Sequence, residues 1–220
     1  MKKKLAIMFI GPPGSGKSSL ARIISERGGL DYIDTGELIK KTFSDPKKAN
    51  DEVIQKAKQS YFSGQLVDPS FVINLVLVES KRIFDSGQGI VFSGSPRTIF
   101  EADLLVPFLV KNYSRENVRA FLLNVSEEAV IKRMSQRRVC SNCGLPIMPE
   151  LKNDRCTICG GEIISKSTDD PQKITIRFKE YNERTKPVIN YLKNLKLLIE
   201  INAEPLPEEI LKEIETKLIE

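Results

Sequence analysis

No histidine occurs among the 220 residues. Acid–base chemistry in this chain therefore proceeds without an imidazole, and a metal site must draw on sulfur or oxygen ligands. Apolar residues are not scarce, at 40%, yet no run approaches the roughly 18 residues that a membrane span requires. The N-terminal stretch Met1-Lys2-Lys3-Lys4 followed by Leu5 to Ile10 has a secretory flavour, but it breaks off after six apolar residues at a glycine-rich loop. It reads as a first strand, not as a signal, and no lipidation motif stands at the far end. A cytoplasmic protein without membrane contact is the expectation. Cysteine is sparse and confined: all four lie between Cys140 and Cys159, which excludes a framework of disulfides spread through the fold. The net charge of +5 suits phosphate-bearing partners and is too small to argue for nucleic acid by itself.

Five short apolar runs are present, Leu5–Ile10, Tyr32–Ile33, Ile90–Phe92, Ala120–Val125 and Leu197–Ile201, and helical patterns separate them. That alternation predicts an α/β fold with a five-stranded parallel sheet covered on both faces. Asp68 is a candidate N-cap, with Pro69 at the first helical position and Phe71, Leu75 and Val78 on one face. Ser126 caps a second predicted helix, whose first turn carries Glu127 and Glu128 where the helix dipole favours negative charge. Ile210, Ile214 and Leu218 form an i, i+4, i+8 stripe after Pro207. Two regions break the alternation. Residues from about 35 to 67 are polar and lysine-rich with helical spacing, and residues from about 139 to 173 are rich in Cys, Pro, Gly and Asp.

Gly11-Pro12-Pro13-Gly14-Ser15-Gly16-Lys17-Ser18 matches the phosphate-binding loop pattern in full, between an apolar strand and a helix-compatible stretch from Lys17 to Glu26. Its glycines let successive N–H groups and the helix N-terminus face an anion. Gly11, Gly14, Ser15, Gly16, Lys17, Ser18 and Ser19 are thus the candidate ATP-binding residues, with Lys17 reaching the β- and γ-phosphates and the Ser18 hydroxyl placed for Mg2+. Such a loop implies a P-loop NTPase core. It does not by itself choose between an ATPase, a GTPase and a small-molecule kinase.

Cys140-x2-Cys143-x12-Cys156-x2-Cys159 has the spacing of a zinc knuckle pair, and Gly144 and Gly160 follow the two turns. Four thiolates fill the tetrahedral positions of Zn2+, so the implied metal is structural. It would fold a segment too small to bury a core of its own.

Taken in order, Gly11 to Lys17, then Asp34-Thr35-Gly36-Glu37-Leu38, then Ser93-Gly94-Ser95-Pro96-Arg97-Thr98, then Arg133 and Arg137-Arg138 ahead of the four cysteines, resemble the adenylate kinase family over essentially the whole chain. The resemblance implies a P-loop core of residues 1–34, 68–137 and 175–220, an acceptor-binding lobe at 35–67, and a zinc-bearing lid at 138–174. It implies transfer of the ATP γ-phosphoryl group to a nucleoside monophosphate, AMP in the first instance, by a monomer with no nucleic-acid partner. By the same resemblance, Lys17, Arg97, Arg133, Arg137 and Arg177 form a cationic clamp. Arg97 holds the acceptor, and Arg133 and Arg137 hold the donor. Thr35, Gly36, Lys40, Gly94 and Glu101 complete the acceptor site. An acceptor phosphate is already ionised at pH 7, so the missing histidine is no obstacle to this chemistry.

The departures from the family's pattern bear on rate and on base choice. Ser93 stands where the family usually has an Asp that organises water around Mg2+, and this departure motivates an alternative: a catalytically weakened nucleotide-binding regulator. Ser18 stands where Gly is usual, and Lys40 where an Arg is expected. A second lid arginine is replaced by Lys166 or a neighbouring Ser, while Asp169-Asp170 matches the family's acidic pair. Glu101 replaces a Gln that reads adenine. An amide both donates and accepts, whereas a carboxylate only accepts, which keeps GMP and CMP as alternatives to AMP; the plainer reading is a solvated Glu on a helix surface.

Overall fold

A computed structural model describes residues 4–46, 50–142, 144, 146–147, 154–165 and 171–219. Cys143, Lys166, Asp169 and Asp170 lie outside the described residues. In chain order the strands are β1 (Ala6–Ile10), β2 (Asp31–Asp34), β3 (Ile90–Ser93), β4 (Val118–Asn124), β5 (Arg138–Cys140), β6 (Pro146–Ile147), β7 (Ile163–Ser165) and β8 (Leu198–Asn202). The helices are α1 (Lys17–Gly28), α2 (Thr35–Phe43), α3 (Glu52–Ser63), α4 (Pro69–Asp85), α5 (Ile99–Tyr113), α6 (Glu127–Ser135), α7 (Pro171–Glu180), α8 (Lys186–Asn194) and α9 (Pro207–Ile219). A π-helical turn, Tyr181–Thr185, joins α7 to α8.

The main sheet has the order β2-β3-β1-β4-β8, and every pairing in it is parallel. Its strands are the five apolar runs, shifted by a residue or two at their ends. Because side chains alternate along a strand, each central strand feeds two cores. Ala6, Met8 and Ile10 of β1 join Val118, Ala120 and Leu122 of β4 in a cluster with residues of α4, α5 and α8. Ile7 and Phe9 join Phe121 and Leu123 on the opposite face, with Leu20 and Ile24 of α1 and Ile210, Leu211 and Ile214 of α9. Burial on both faces explains why these strands are continuously apolar.

The helix starts follow the expected chemistry. The Asp68 carboxylate accepts from the N–H groups of Ser70 and Phe71, with Pro69 opening α4, and the Ser126 hydroxyl accepts from Ala129 N–H at the start of α6. One expectation is corrected in part: Phe71 and Leu75 of α4 pack half-buried against the core, but Val78 does not join them. The helix's inner stripe is Val72, Ile73, Val76, Ser80 and Ile83, and Val78 is 72% exposed. With seven of the residues from 71 to 78 apolar, two stripes fit the same helix, and the sheet selects the one rotated toward it.

Two parts depart from the sheet. Helices α2 and α3 follow β2 and meet through an aromatic contact of Phe43 with Tyr61, ring centroids 5.7 Å apart. After α6 the chain forms a separate antiparallel sheet of order β6-β5-β7, which carries the cysteines.

Candidate active site

The main sheet directs its functional residues to one edge, the C-terminal ends of its parallel strands, where open α/β sheets bind ligands. From Ile10 the chain enters the glycine-rich loop, from Asp34 it enters α2, and from Ser93 it enters the turn that carries Arg97. Gly14 has φ +78°, and a Cβ there would lie 2.7 Å from Met134 Cγ and 2.8 Å from Val130 Cγ1 of α6. Only glycine lets the loop lie this close beneath α6. The Lys17 ammonium donates to the carbonyls of Gly11 (2.8 Å) and Pro12 (2.6 Å) and to Ser15 Oγ (3.3 Å). Burial of this ammonium lowers its pKa well below that of an ordinary lysine, and the cations Arg97, Arg177 and Arg137 lower it further, while Asp34 opposes them. Three of the four expected clamp arginines are therefore within electrostatic reach of Lys17.

Arg133 is placed differently. Its guanidinium donates to the Glu204 carbonyl at 3.2 Å, beside the section of α6 that covers Gly14. The stem of Arg177 passes Gly64, the C-cap of α3, with its Cγ 3.6 Å from where a Cβ would stand. Arg177 thus sits where α7 meets the α2–α3 excursion.

The turn that carries Arg97 is held from three sides. Thr35 Oγ1 donates to Ser95 Oγ at 3.0 Å. The Glu101 carboxylate accepts from Arg97 N–H (3.0 Å), from Ser95 Oγ (3.4 Å) and from Thr98 Oγ1 (3.2 Å). Thr185 Oγ1, on the π-helical turn, donates to the Arg97 carbonyl at 3.0 Å. Gly94, with φ +96°, leaves room for the arginine, since a Cβ there would stand 2.9 Å from Arg97 Nη2. Glu101 is 3% exposed, so it is not the solvated surface residue of the plainer reading. Burial raises its pKa, and the hydrogen bond from Arg97 N–H and the Arg97 charge partly offset that rise.

Lys40 ion-pairs with Glu37 at 2.5 Å. Burial is the largest single influence and works against its charge, but the hydrogen bond to Glu37 together with the charges of Tyr61, Glu37 and Asp34 outweighs it, and its pKa is raised. Gly36 lies under Tyr61 of α3, whose hydroxyl is 3.5 Å from the position of a Cβ. Arg97 lies within electrostatic reach of Tyr61 as well.

A hydrogen-bonded group that sequence reasoning missed lies beside the loop. Ser18 Oγ is 3.2 Å from Ser93 Oγ, which is 2.7 Å from Tyr32 Oη. The Tyr32 hydroxyl donates to Asp34 Oδ2 at 3.0 Å, and Ser93 Oγ lies 3.4 Å from the same oxygen. These donors are hard oxygens, the kind that Mg2+ prefers while it retains several waters. The residues present fit that ion.

In the small sheet, the sulfur atoms of Cys140, Cys156 and Cys159 all lie within 4.8 Å of one another, and those of Cys140 and Cys159 are 3.4 Å apart. Thiolates at about 2.3 Å from one tetrahedral ion would stand about 3.8 Å apart, so the three fit a common metal. None of them is in a disulfide. Gly161 permits the approach, because a Cβ there would lie 2.7 Å from Cys140 Sγ.

A parallel sheet with a phosphate loop at its switch point, arginines within electrostatic reach of the loop lysine and an arginine-bearing turn on the neighbouring strand fit a P-loop nucleoside monophosphate kinase. The family model described as adenylate kinase matches residues 9–197. The chain is 33% identical over 212 residues to an adenylate kinase of Thermosipho melanesiensis, covering 94% of this chain and 96% of that protein. It is 32% identical over 216 residues to one from Archaeoglobus fulgidus (96% and 97% covered). It is 35% identical over 219 residues to one from Kosmotoga olearia (95% and 98% covered). The chain belongs to the adenylate kinase family, and it is a nucleoside monophosphate kinase that uses ATP.

Proposed function

We propose that this protein transfers the γ-phosphoryl group of ATP to AMP. The observation that carries this reading is the convergence of Arg97, Arg137 and Arg177 on Lys17. Lys17 and Arg97, which follow the parallel strands β1 and β3, together with Arg137 after α6 and Arg177 on α7, suit the crowded phosphates of a donor and an acceptor in line, and suit little else. Lys17 holds the β- and γ-phosphates above the N-terminus of α1. Arg97 holds the acceptor phosphate, fixed by Glu101 and Thr185 at its backbone. Arg137 and Arg177 neutralise the charge that spreads over the transferring group, and Arg133 holds the donor from α6. Mg2+, carried by the oxygen donors beside Ser18, supplies further charge neutralisation.

Segment 35–67, with Thr35, Gly36 and Lys40, is the acceptor lobe in this reading, and segment 138–174 is the lid, which excludes water that would otherwise take the phosphoryl group. Zn2+ on Cys140, Cys156 and Cys159, with Cys143 as the fourth ligand by its spacing, holds the lid together. The protein acts as a cytoplasmic monomer, with ATP and a nucleoside monophosphate as partners and no nucleic acid.

A second reading, with GMP or CMP as acceptor, is favoured by Glu101. A buried group beside Arg97 that only accepts hydrogen bonds complements guanine's N1–H and N2–H2 or cytosine's amino group better than adenine. Three donors of the chain itself already engage that carboxylate, which is why AMP is placed first. Incubation with Mg-ATP and AMP, GMP, CMP or UMP in turn, following diphosphate formation, tests both. AMP is the expected acceptor, with a preference unchanged in Glu101→Gln. A preference for GMP or CMP that moves toward AMP in Glu101→Gln establishes the second reading. ATP binding without turnover on any acceptor defeats both.

A further inference from the structure

We propose that Asp34, at the C-terminal end of β2, is the carboxylate that orders the water around the nucleotide's Mg2+, a duty that Ser93 on β3 cannot perform. This assignment rests on the phosphotransfer reading given above.

The argument begins with register. β2 and β3 are parallel neighbours, and Asp34 stands directly opposite Ser93. Paired strands lie about 4.8 Å apart, so a carboxylate on β2 reaches over a residue as short as serine. Asp34 divides its two oxygens. Oδ1 accepts from Glu37 N–H at 3.1 Å and caps α2, while Oδ2 faces Tyr32 and Ser93.

A carboxylate only accepts, so Asp34 Oδ2 receives hydrogen bonds from the hydroxyls of Tyr32 (3.0 Å) and Ser93 (3.4 Å). Ser93 Oγ is also within hydrogen-bond distance of Tyr32 Oη and of Ser18 Oγ. Tyr32 remains a neutral phenol in this arrangement: burial and then the Asp34 carboxylate raise its pKa. Ser18 Oγ retains acceptor capacity in either direction of its bond to Ser93, on an exposed side chain at the first turn of α1. Loop hydroxyl and strand-end carboxylate are the two groups by which P-loop enzymes hold Mg2+. In this chain they are joined by one line of hydroxyls, with the carboxylate one strand further out.

The alternative is that Asp34 does no more than cap α2. Asn caps a helix as well as Asp, so Asp34→Asn keeps the cap and removes the charge. The experiment measures ATP affinity by calorimetry with Mg2+ and with a chelator, and Mn2+ uptake by ATP-bound protein through the loss of the free-Mn2+ resonance. Asp34→Asn is expected to weaken Mn2+ uptake about 10-fold or more, in the range for losing a partner that orients metal ligands, with ATP affinity in chelator unchanged. The exchange Asp34→Ser with Ser93→Asp, which keeps a capping hydroxyl, is expected to restore uptake to near the wild-type value. If Asp34→Asn lowers the melting temperature, the exchange carries the test. Wild-type Mn2+ uptake in Asp34→Asn, or no uptake in a folded exchange variant, overturns the assignment. Absence of turnover by the wild type with every acceptor removes the phosphotransfer reading, and this assignment with it. Wild-type turnover beside unaltered metal coupling in Asp34→Asn removes this assignment alone.

Discussion

The loop floor and the cysteine-bearing sheet are built on opposite terms. Around Lys17, position comes from apolar burial: β1 and β4 sit between two cores, and the glycine loop is pressed under α6 by Val130 and Met134. Around Cys140, two- and three-residue strands cross in a sheet with little apolar packing, and Ile164 is exposed. There the sulfur atoms of Cys140, Cys156 and Cys159 provide the convergence that a core would otherwise provide. The difference teaches that rigidity in this molecule has two sources. A parallel sheet suits groups that must not move, and three clustered sulfur atoms draw together a small element whose strands are only two and three residues long.

Substitutions that act on one side only sharpen the contrast. Lys17→Met should lower kcat/KM by about 10²- to 10³-fold, as for loss of a preorganised charge contact, with the melting temperature little changed; a collapse of the fold would show that the loop floor depends on its lysine. Cys140→Ser should lower kcat by up to about 10²-fold, the cost of displacing a positioned group by about 1 Å. Its hydrogen-exchange protection should fall in β5 and β7 and persist in β1 and β4. Equal losses in both sheets would break the comparison. Thr185→Val removes the donor to the Arg97 carbonyl, worth about 1 kcal/mol. Acceptor kcat/KM should fall about fivefold with ATP affinity unchanged. The smallest effect concerns Glu101, whose raised pKa has a definite sign in stability. A carboxyl group that holds its proton more tightly when folded stabilises most at low pH, and that contribution is lost as pH rises through its folded value. The melting temperature of the wild type relative to Glu101→Gln should therefore be higher at pH 5 than at pH 8.

Local chemistry made much of this legible in advance. The buried strands announce themselves as apolar runs, and Asp68, Ser126 and the glycine loop carry their signals within a few residues. The order of motifs pointed to the family and to a clamp of Lys17 with Arg97, Arg133, Arg137 and Arg177, of which Arg97, Arg137 and Arg177 are within electrostatic reach of the lysine and Arg133 is turned to the Glu204 carbonyl. What stayed hidden depends on distant pairing. Nothing in Ile90 to Ser93 says that Asp34 stands opposite Ser93, because parallel strands find their register through the whole sheet. Thr185 lies 88 positions from Arg97, on a π-helical turn with no sequence signature. The inner stripe of α4 was ambiguous because apolar residues surround that helix on more than one side. Asp34 could have been noticed as an acidic residue at a strand end preceding a helix, but its second oxygen matters only once β3 is beside it.

The turn around Arg97 also has a consequence for how the molecule comes into being on the ribosome. Its ties run to Thr35, to Glu101 and to Thr185, and the chain leaves the exit tunnel from the N-terminal end. The nucleotide cradle at Gly11 to Ser18 and its neighbours β2 and β3 emerge early, whereas Thr185 emerges only after more than four-fifths of the 220 residues have been made. The hydrogen bond from Thr185 to the Arg97 carbonyl is therefore the last of these ties to form, late in synthesis.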